Sequence, residues 1–235
     1  MSLIKNLEEA FKELRKGRFI LIHDADDREG ETDFIIAAEY VTPRSIKTMR
    51  KEGGGLIFLM TAYEVAEKLQ LPYLSDLFHD VKKKYPVFEA LIPNDIPYDN
   101  KSSFSVSLNH RGTFTGVTDR DRSLTIRRFA ELTKEIEGLS NNEALKLLGR
   151  EFRSPGHVPL CIASKNPLVD RFGHTELTIS MLKMAGLTPV GAGCEIMGDD
   201  GKAMPKWEAK QYAEENGYIF LEGREIIDGW KLWLE

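Results

Sequence analysis

The chain has 235 residues, 42% hydrophobic and 29% charged, with a formal net charge of −5. That balance describes an ordinary globular protein long enough to bury a substantial core as one domain, and its apolar runs fall well short of the ~20 residues a membrane helix needs. An acidic chain also lacks the basic footprint of a nucleic-acid binder, although a small anion could still bind a local arginine cluster.

The N-terminal 17 residues are mixed in charge and helix-patterned, without the regions of a signal peptide, so a cytoplasmic protein is expected. Cys161 and Cys194 are too few and too far apart for a disulfide framework or a thiolate zinc site, and both are expected as reduced core residues.

Ile4, Leu7, Phe11 and Leu14 recur at helical spacing before Gly17, so an amphipathic helix leads into a strand over 19–23. The segment DADDREGETDF (24–34) follows and connects it to a buried strand over 34–38. Thr42 and Pro43 supply the N-cap and first turn of a helix ending at Gly53. A strand over 55–60 comes next, then a capping box over 61–64 that opens a helix bounded by Pro72. The prolines at 72, 86, 93 and 97 predict an irregular excursion over 72–101. Clean alternation over 103–108 predicts a half-buried strand. Helices are expected over 121–137 and, capped by Ser140, to about Leu148. Strands over 158–163 and 190–196 flank a helix over 175–185 that Gly186 ends. A helix over 205–215, a strand over 218–221 and a last amphipathic helix close the chain. Interleaved strands and helices predict a single-domain α+β, layered α/β fold with a mixed sheet.

Four stretches carry chemistry. The first packs six carboxylates and one arginine into positions 24 to 33. In extended form Glu29, Glu31 and Asp33 share one face, a row suited to a hard divalent cation such as Mg²⁺, whereas no register meets the EF-hand pattern. An exposed acidic turn with Gly30 at its tip is the plainer alternative. The second, SPGHVPL (154–160), presents His157 at the mouth of a strand as a base or acid. In the third, DRFGHTELT (170–178), Arg171 and the free amides of a helix start make an anion site, and His174 offers a metal nitrogen. Helix capping by Thr175 is the plainer alternative, which explains the threonine and glycine but leaves Arg171 and His174 unexplained. The fourth, GAGCEIM (191–197), lacks the third glycine of a dinucleotide fingerprint, but it places Glu195 in a strand of small and apolar residues. A carboxylate there is raised in pKa or paired, as proton-abstracting acids often are.

Together and in this order, DADDREGETDFIIAAEYVTP, FSVSLNHRGTFTGVTDRDRSLTI, FRSPGHVPL and RFGHTELTISMLKMAGLTPVGAGCEIM resemble the 3,4-dihydroxy-2-butanone 4-phosphate synthases of riboflavin biosynthesis, from residue 19 to about 200. The resemblance implies a lyase converting D-ribulose 5-phosphate to L-3,4-dihydroxy-2-butanone 4-phosphate and formate. It also implies Mg²⁺ (or Mn²⁺) and a homodimer with its sites at the interface. On the family pattern Glu29 and His174 hold the metal. Arg28, Glu29, Asp33, Arg171, Phe172, Gly173, His174, Thr175 and Glu195 contact substrate, Arg171 and Thr175 at its phosphate. His157 and Glu195, with Glu31 and Asp33, carry catalysis. The chain departs from the pattern at Phe58, where many relatives have cysteine, after His157, where it is one residue shorter, and over 127–152, which is longer. It lacks the cysteine cluster of the GTP cyclohydrolase II to which relatives are often fused, so a monofunctional form is expected. Another metal-dependent sugar-phosphate isomerase or aldolase, or a non-catalytic sugar-phosphate binder, would share many of these residues.

Overall fold

The computed structural model describes residues 2–93 and 95–235. Helix α1 (Ser2–Arg15) ends where Gly17 turns left-handed at φ +68°, and β1 (Ile20–His23) follows. Among the expected apolar positions of α1, Leu7 and Leu14 are buried, and the side chain of Ile4 lies outside the described residues. β2 (Thr32–Ala37) returns antiparallel to β1, with Ile22 opposite Asp33 and Leu21 opposite Phe34. A 3-10 turn (Ala38–Tyr40) leads to α2 (Pro43–Glu52), which Thr42 and Ser45 cap reciprocally. β3 (Phe58–Thr61), α3 (Tyr63–Lys68), α4 (Leu74–Val81), α5 (Val87–Ala90) and β4 (Phe104–His110) follow. Then come α6 (Asp119–Glu135), α7 (Asn141–Glu151), β5 (Phe152–Ile162), α8 (His174–Met184) and β6 (Val190–Glu195). α9 (Lys206–Asn216), β7 (Ile219–Glu222) and α10 (Gly223–Leu234) complete the chain.

The strands form one mixed seven-stranded sheet in the order β4-β5-β3-β6-β2-β1-β7. Helices cover both of its faces. A Cβ at Gly191 of β6 would come within 2.5 Å of Thr178 of α8, so the missing side chain is what lets α8 lie close on that face. Cys194, of opposite parity on the same strand, turns its sulfur to the Met49 carbonyl of α2 on the other face. The core behind the site is dense. Phe34 is fully buried and meets the rings of Phe19, Tyr212 and Tyr218 edge-on at 5.4, 5.9 and 5.9 Å.

Three expectations need correcting. The capping box over 61–64 does not form: Thr61 belongs to β3, paired with Val190 and Ile162, and the N-cap of α3 is Ala62 without a side-chain bond. The segment 72–101 is not merely irregular, because α4 and α5 lie in it, joined by the stacked rings of Phe78 and Phe88 at 4.3 Å. Ring stacking across the Pro86 turn supplies the packing that such short helices need, and proline content alone does not reveal it. β5 is also longer than expected, running from residue 152, so His157 sits within a strand rather than at its mouth. Cys161 and Cys194 are buried free thiols, as expected.

Candidate active site

The crowded acidic stretch resolves into two parts. Asp24 closes the β1 end of the hairpin, where its amide bonds the Glu31 carbonyl at 3.2 Å, and Gly30 turns left-handed at φ +68°. The Asp24 side chain is fully buried. One oxygen accepts the Glu31 amide at 3.1 Å, and the other accepts the Glu29 amide at 3.1 Å and the Arg28 guanidinium at 3.0 Å. Asp24 is therefore no solvated turn residue. It draws the loop inward and aims Arg28 and Glu29 at the start of α8. Asp26 and Asp27 keep the solvated character of an exposed turn, Asp26 with a 71% exposed side chain between Lys206 and His23.

Glu31 extends the β1–β2 pairing by one residue, through its carbonyl to the Asp24 amide, and shares the parity of Asp33, whereas Glu29 comes from the turn before it. At their centre stands His174, the first residue of α8 and 6% exposed. Its Nδ1 lies 3.3 Å from Glu29 Oε2, and its Nε2 lies 3.2 Å from the Ile22 carbonyl and 3.6 Å from Asp33 Oδ1. With acceptors on both sides the ring is an imidazolium. Burial opposes that charge, but Asp33, Glu29 and Asp24 prevail and lift its pKa to about 9. Burial likewise opposes ionisation of Glu29, yet its bond to His174 and the charges of His174, Arg28 and Arg171 bring it down to about 2. Asp33 goes the other way. It is fully buried, neither oxygen has a hydrogen-bond partner, and burial with the neighbouring Glu195, Glu29 and Glu31 pushes its pKa well up despite His174. Burial first, then Glu29 and Glu195, raises Glu31. Burial also raises Glu195, the last residue of β6, which pairs directly with Asp33 of β2.

Oxygens of Asp24 and Glu29 and a nitrogen of His174 lie within 4.8 Å of one another. Two ligands of an octahedral ion bound at ~2.1 Å stand roughly 3 Å apart, so the Glu29 and His174 atoms need little movement to share one. The Ile22 carbonyl fixes the imidazole from behind, as an outer partner of a metal-binding histidine does. The donor set and the unpartnered Asp33 carboxylate fit a hard divalent cation. Asp24, whose oxygens already accept from two amides and Arg28, lies beside the two residues expected from the sequence as ligands.

Arg171 precedes α8 and is held by Glu176, a glutamate with no exposed surface that also accepts the Ser164 amide at 2.8 Å. The Arg171 Nη1 bond to Glu176 is 2.6 Å. A Cβ at Gly173 would come within 2.4 Å of Arg171 and 2.8 Å of Arg28, so glycine there lets both guanidinium groups close on the helix start. Gly173 is the N-cap, and Thr175 does not cap the helix. Its hydroxyl faces Ser103 at 3.5 Å, leaving the first amides of α8 free to receive an anion. Phe172 is 44% exposed at the edge of a cavity of about 290 Å³ that Arg28 and Arg171 also line.

His157 stands apart. It is held by Asn109, whose Oδ1 accepts its amide at 2.9 Å and whose Nδ2 meets its Nδ1 at 3.1 Å. β3 lies between the strands that carry His157 and Glu195, a backbone separation of roughly 10 Å at ordinary strand spacing. No hydrogen bond or ion pair joins the two among the described residues. Sequence reasoning missed Asp24, Asp99, Asn109 and Glu176. Only Glu176 left a visible trace, as an acid inside the motif that supplies His174 and Thr175.

Comparison with known proteins identifies the family. Residues 8–229 match the model of the family described as 3,4-dihydroxy-2-butanone 4-phosphate synthase. The chain belongs to that family. It is 44% identical to the synthase of Methanothermobacter thermautotrophicus over 98% of both chains. A solved synthase of Candida albicans superposes with a TM-score of 0.70 at 26% identity, covering 94% of this chain and 95% of that one. A further synthase, solved in complex with two magnesium ions, has the same fold with a TM-score of 0.69 at 23% identity, covering 95% of each chain. The family's activity is conversion of ribulose 5-phosphate to 3,4-dihydroxy-2-butanone 4-phosphate in riboflavin biosynthesis, and this chain is a lyase of that kind. No helix among the described residues is long and apolar enough to cross a membrane.

Proposed function

We propose that the cluster at the start of α8 is where D-ribulose 5-phosphate becomes L-3,4-dihydroxy-2-butanone 4-phosphate and formate, within one synthase domain spanning the chain. The observation that carries this reading is the meeting of Glu29 and His174 at 3.3 Å beside the unpartnered carboxylate of Asp33. Glu29 and His174 would hold Mg²⁺ or Mn²⁺, with Asp24 immediately behind them. Bound there, the ion supplies Lewis-acid stabilisation of substrate oxygens that gain charge.

The chain's own groups divide the remaining work. Arg171, the Thr175 hydroxyl and the amides of Phe172, Gly173 and His174 anchor the phosphate and hold a flexible sugar in one pose, which is worth several powers of ten in rate. Arg28 and Asp33 orient the hydroxyls. The substrate must lose a proton at C3, eliminate the C1 hydroxyl as water, migrate its C5 fragment from C4 to C3 and, once water has added back at C4, release C4 as formate. Glu195, whose carboxyl is pushed upward by burial, and His157 move those protons, with Glu31 in support.

A homodimer with its sites at the interface accounts for the placement of His157. In one protomer it stands two strands from Glu195, and the apolar side chains near it and near the sheet end are uncovered: Phe114 is 94% exposed, Val117 50% and Leu56 45%. A second copy that covers them also brings its own His157 toward the cluster. We place the enzyme in the cytoplasm, where its two buried thiols stay reduced.

Product analysis tests the proposal. Purified protein with Mg²⁺ and ¹³C-labelled ribulose 5-phosphate is expected to yield formate and the four-carbon phosphate in equal amounts. Isomerised or cleaved sugar phosphate without formate would assign the site to an isomerase or aldolase, and bound but unconsumed substrate would make it a binding protein.

A further inference from the structure

Asp99 lies on the segment between α5 and β4 and points one carboxylate oxygen at both arginines of the site. Its Oδ2 accepts from Arg28 Nη2, from Arg171 Nε at 2.9 Å and from Arg171 Nη2 at 2.7 Å. Three guanidinium nitrogens around one anionic oxygen is the environment a bound phosphate oxygen takes. Each arginine is also gripped from behind by an acid with no side-chain exposure, Arg28 by Asp24 and Arg171 by Glu176. Those anchors adjoin β1 and belong to α8. Asp99 instead belongs to a stretch without regular structure, whose neighbour Tyr98 lays its ring 5.1 Å from the Arg28 guanidinium.

We infer that Asp99 is an internal occupant of the anion site, and that the segment 96–100 is a strap which substrate phosphate must displace. This rests on the reading of Arg171 as the phosphate anchor. The electrostatics require the exchange. Arg28, Arg171 and His174 already face four carboxylates, Asp24, Glu29, Asp99 and Glu176, and a phosphate dianion adds two charges to a site short of positive charge. It enters only where Asp99 leaves. The space for it is present: the cavity of about 290 Å³ bounded by Arg28, Tyr98 and Phe172 and a second of about 180 Å³ bounded by Tyr73 and Ser103 share Asp99 and Arg171 as a wall. Withdrawing the strap joins them. Its C-terminal end stays tied, because Lys101 bonds Asp76 at 2.8 Å and lies 3.9 Å over the ring of Tyr73.

The closed strap lowers apparent affinity by the fraction of time the arginines are free, so removing the charge of Asp99 removes that penalty. Inorganic phosphate binding is measured by calorimetry on the full chain, on Asp99→Asn and on Asp99→Asn combined with Arg171→Gln. Asp99→Asn is expected to bind phosphate roughly tenfold or more tightly than the unsubstituted protein, with KM for ribulose 5-phosphate falling in parallel. The Arg171→Gln combination is expected to abolish the gain. Unchanged or weaker binding by Asp99→Asn and by Asp99→Ala overturns the inference and leaves Asp99 as a scaffold for the arginines. A gain that survives Arg171→Gln overturns the phosphate reading as well. On the unsubstituted protein, phosphate is expected to speed amide exchange over 96–100, and slower exchange there contradicts displacement.

Discussion

His174 Nδ1 and Glu29 Oε2 stand 3.3 Å apart although 145 residues separate them in the chain. In the metal-free protein a proton on the imidazole fills the role that a cation would take. The His174 pKa is raised from 6.5 to about 9, so its contribution to stability is fully present below pH 6.5 and is lost as pH rises through about 9. Asp33, pushed upward, acts in the same direction. The metal-free protein is therefore expected to lose on the order of 2 kcal/mol between pH 6.5 and 9. Because a bound metal must displace the proton, Mg²⁺ is expected to raise Tm more at pH 9 than at pH 6.5. Melting curves at both pH values, with and without Mg²⁺, check the sign, and a larger Mg²⁺ effect at pH 6.5 contradicts it.

Asp24→Asn keeps the shape of the side chain but removes the charge that holds Arg28, and its amide group meets donors on both sides. A loss of about 2 kcal/mol is expected, with turnover falling together with stability because Glu29 loses its backbone anchor. Denaturant unfolding and formate release on the same preparation measure both. A variant with unchanged stability shows that Asp24 does not organise the loop.

The elements of the central sheet were legible because their apolar runs report burial directly: 19–23, 34–38 and 190–196 each fall within two residues of β1, β2 and β6. Glu29, His174 and Arg171 stood out in the sequence as motif residues, supported by the family resemblance, and the fold brings them to the start of α8. Asp24 was not, since nothing local distinguishes it from Asp26. Its burial comes from three donors that assemble only when the hairpin closes. Asp99 was hidden for a similar reason, in a proline-marked stretch whose value lies in which distant arginines it meets. The position of His157 relative to Glu195 is a matter of strand order, and sequence spacing carries no information about that.

Glu176→Gln keeps an acceptor for the Ser164 amide while releasing Arg171. KM for ribulose 5-phosphate is expected to rise about tenfold, the cost of one charge-assisted hydrogen bond, with kcat changing little. Steady-state kinetics separate the two, and a fall in kcat at constant KM places Glu176 in the chemistry instead.

If sites are shared between protomers, two inactive variants can complement. His157→Ala and Glu195→Gln are each expected to bind ribulose 5-phosphate but turn it over at least about a hundredfold more slowly, as for loss of an acid–base group. Mixing them under conditions of subunit exchange is expected to restore activity, since each heterodimer then holds one site with both residues intact. A mixture as inactive as its components shows each site to be built from a single chain.

The central claim is that Glu29 and His174 hold the metal on which turnover depends. Formate release from ribulose 5-phosphate is measured on protein stripped with EDTA, then resupplied with Mg²⁺, for the unsubstituted chain, Glu29→Gln and His174→Ala. Stripping is expected to abolish turnover, and Mg²⁺ to restore it in the unsubstituted chain alone. Full turnover by Glu29→Gln in the presence of chelator would contradict the assignment.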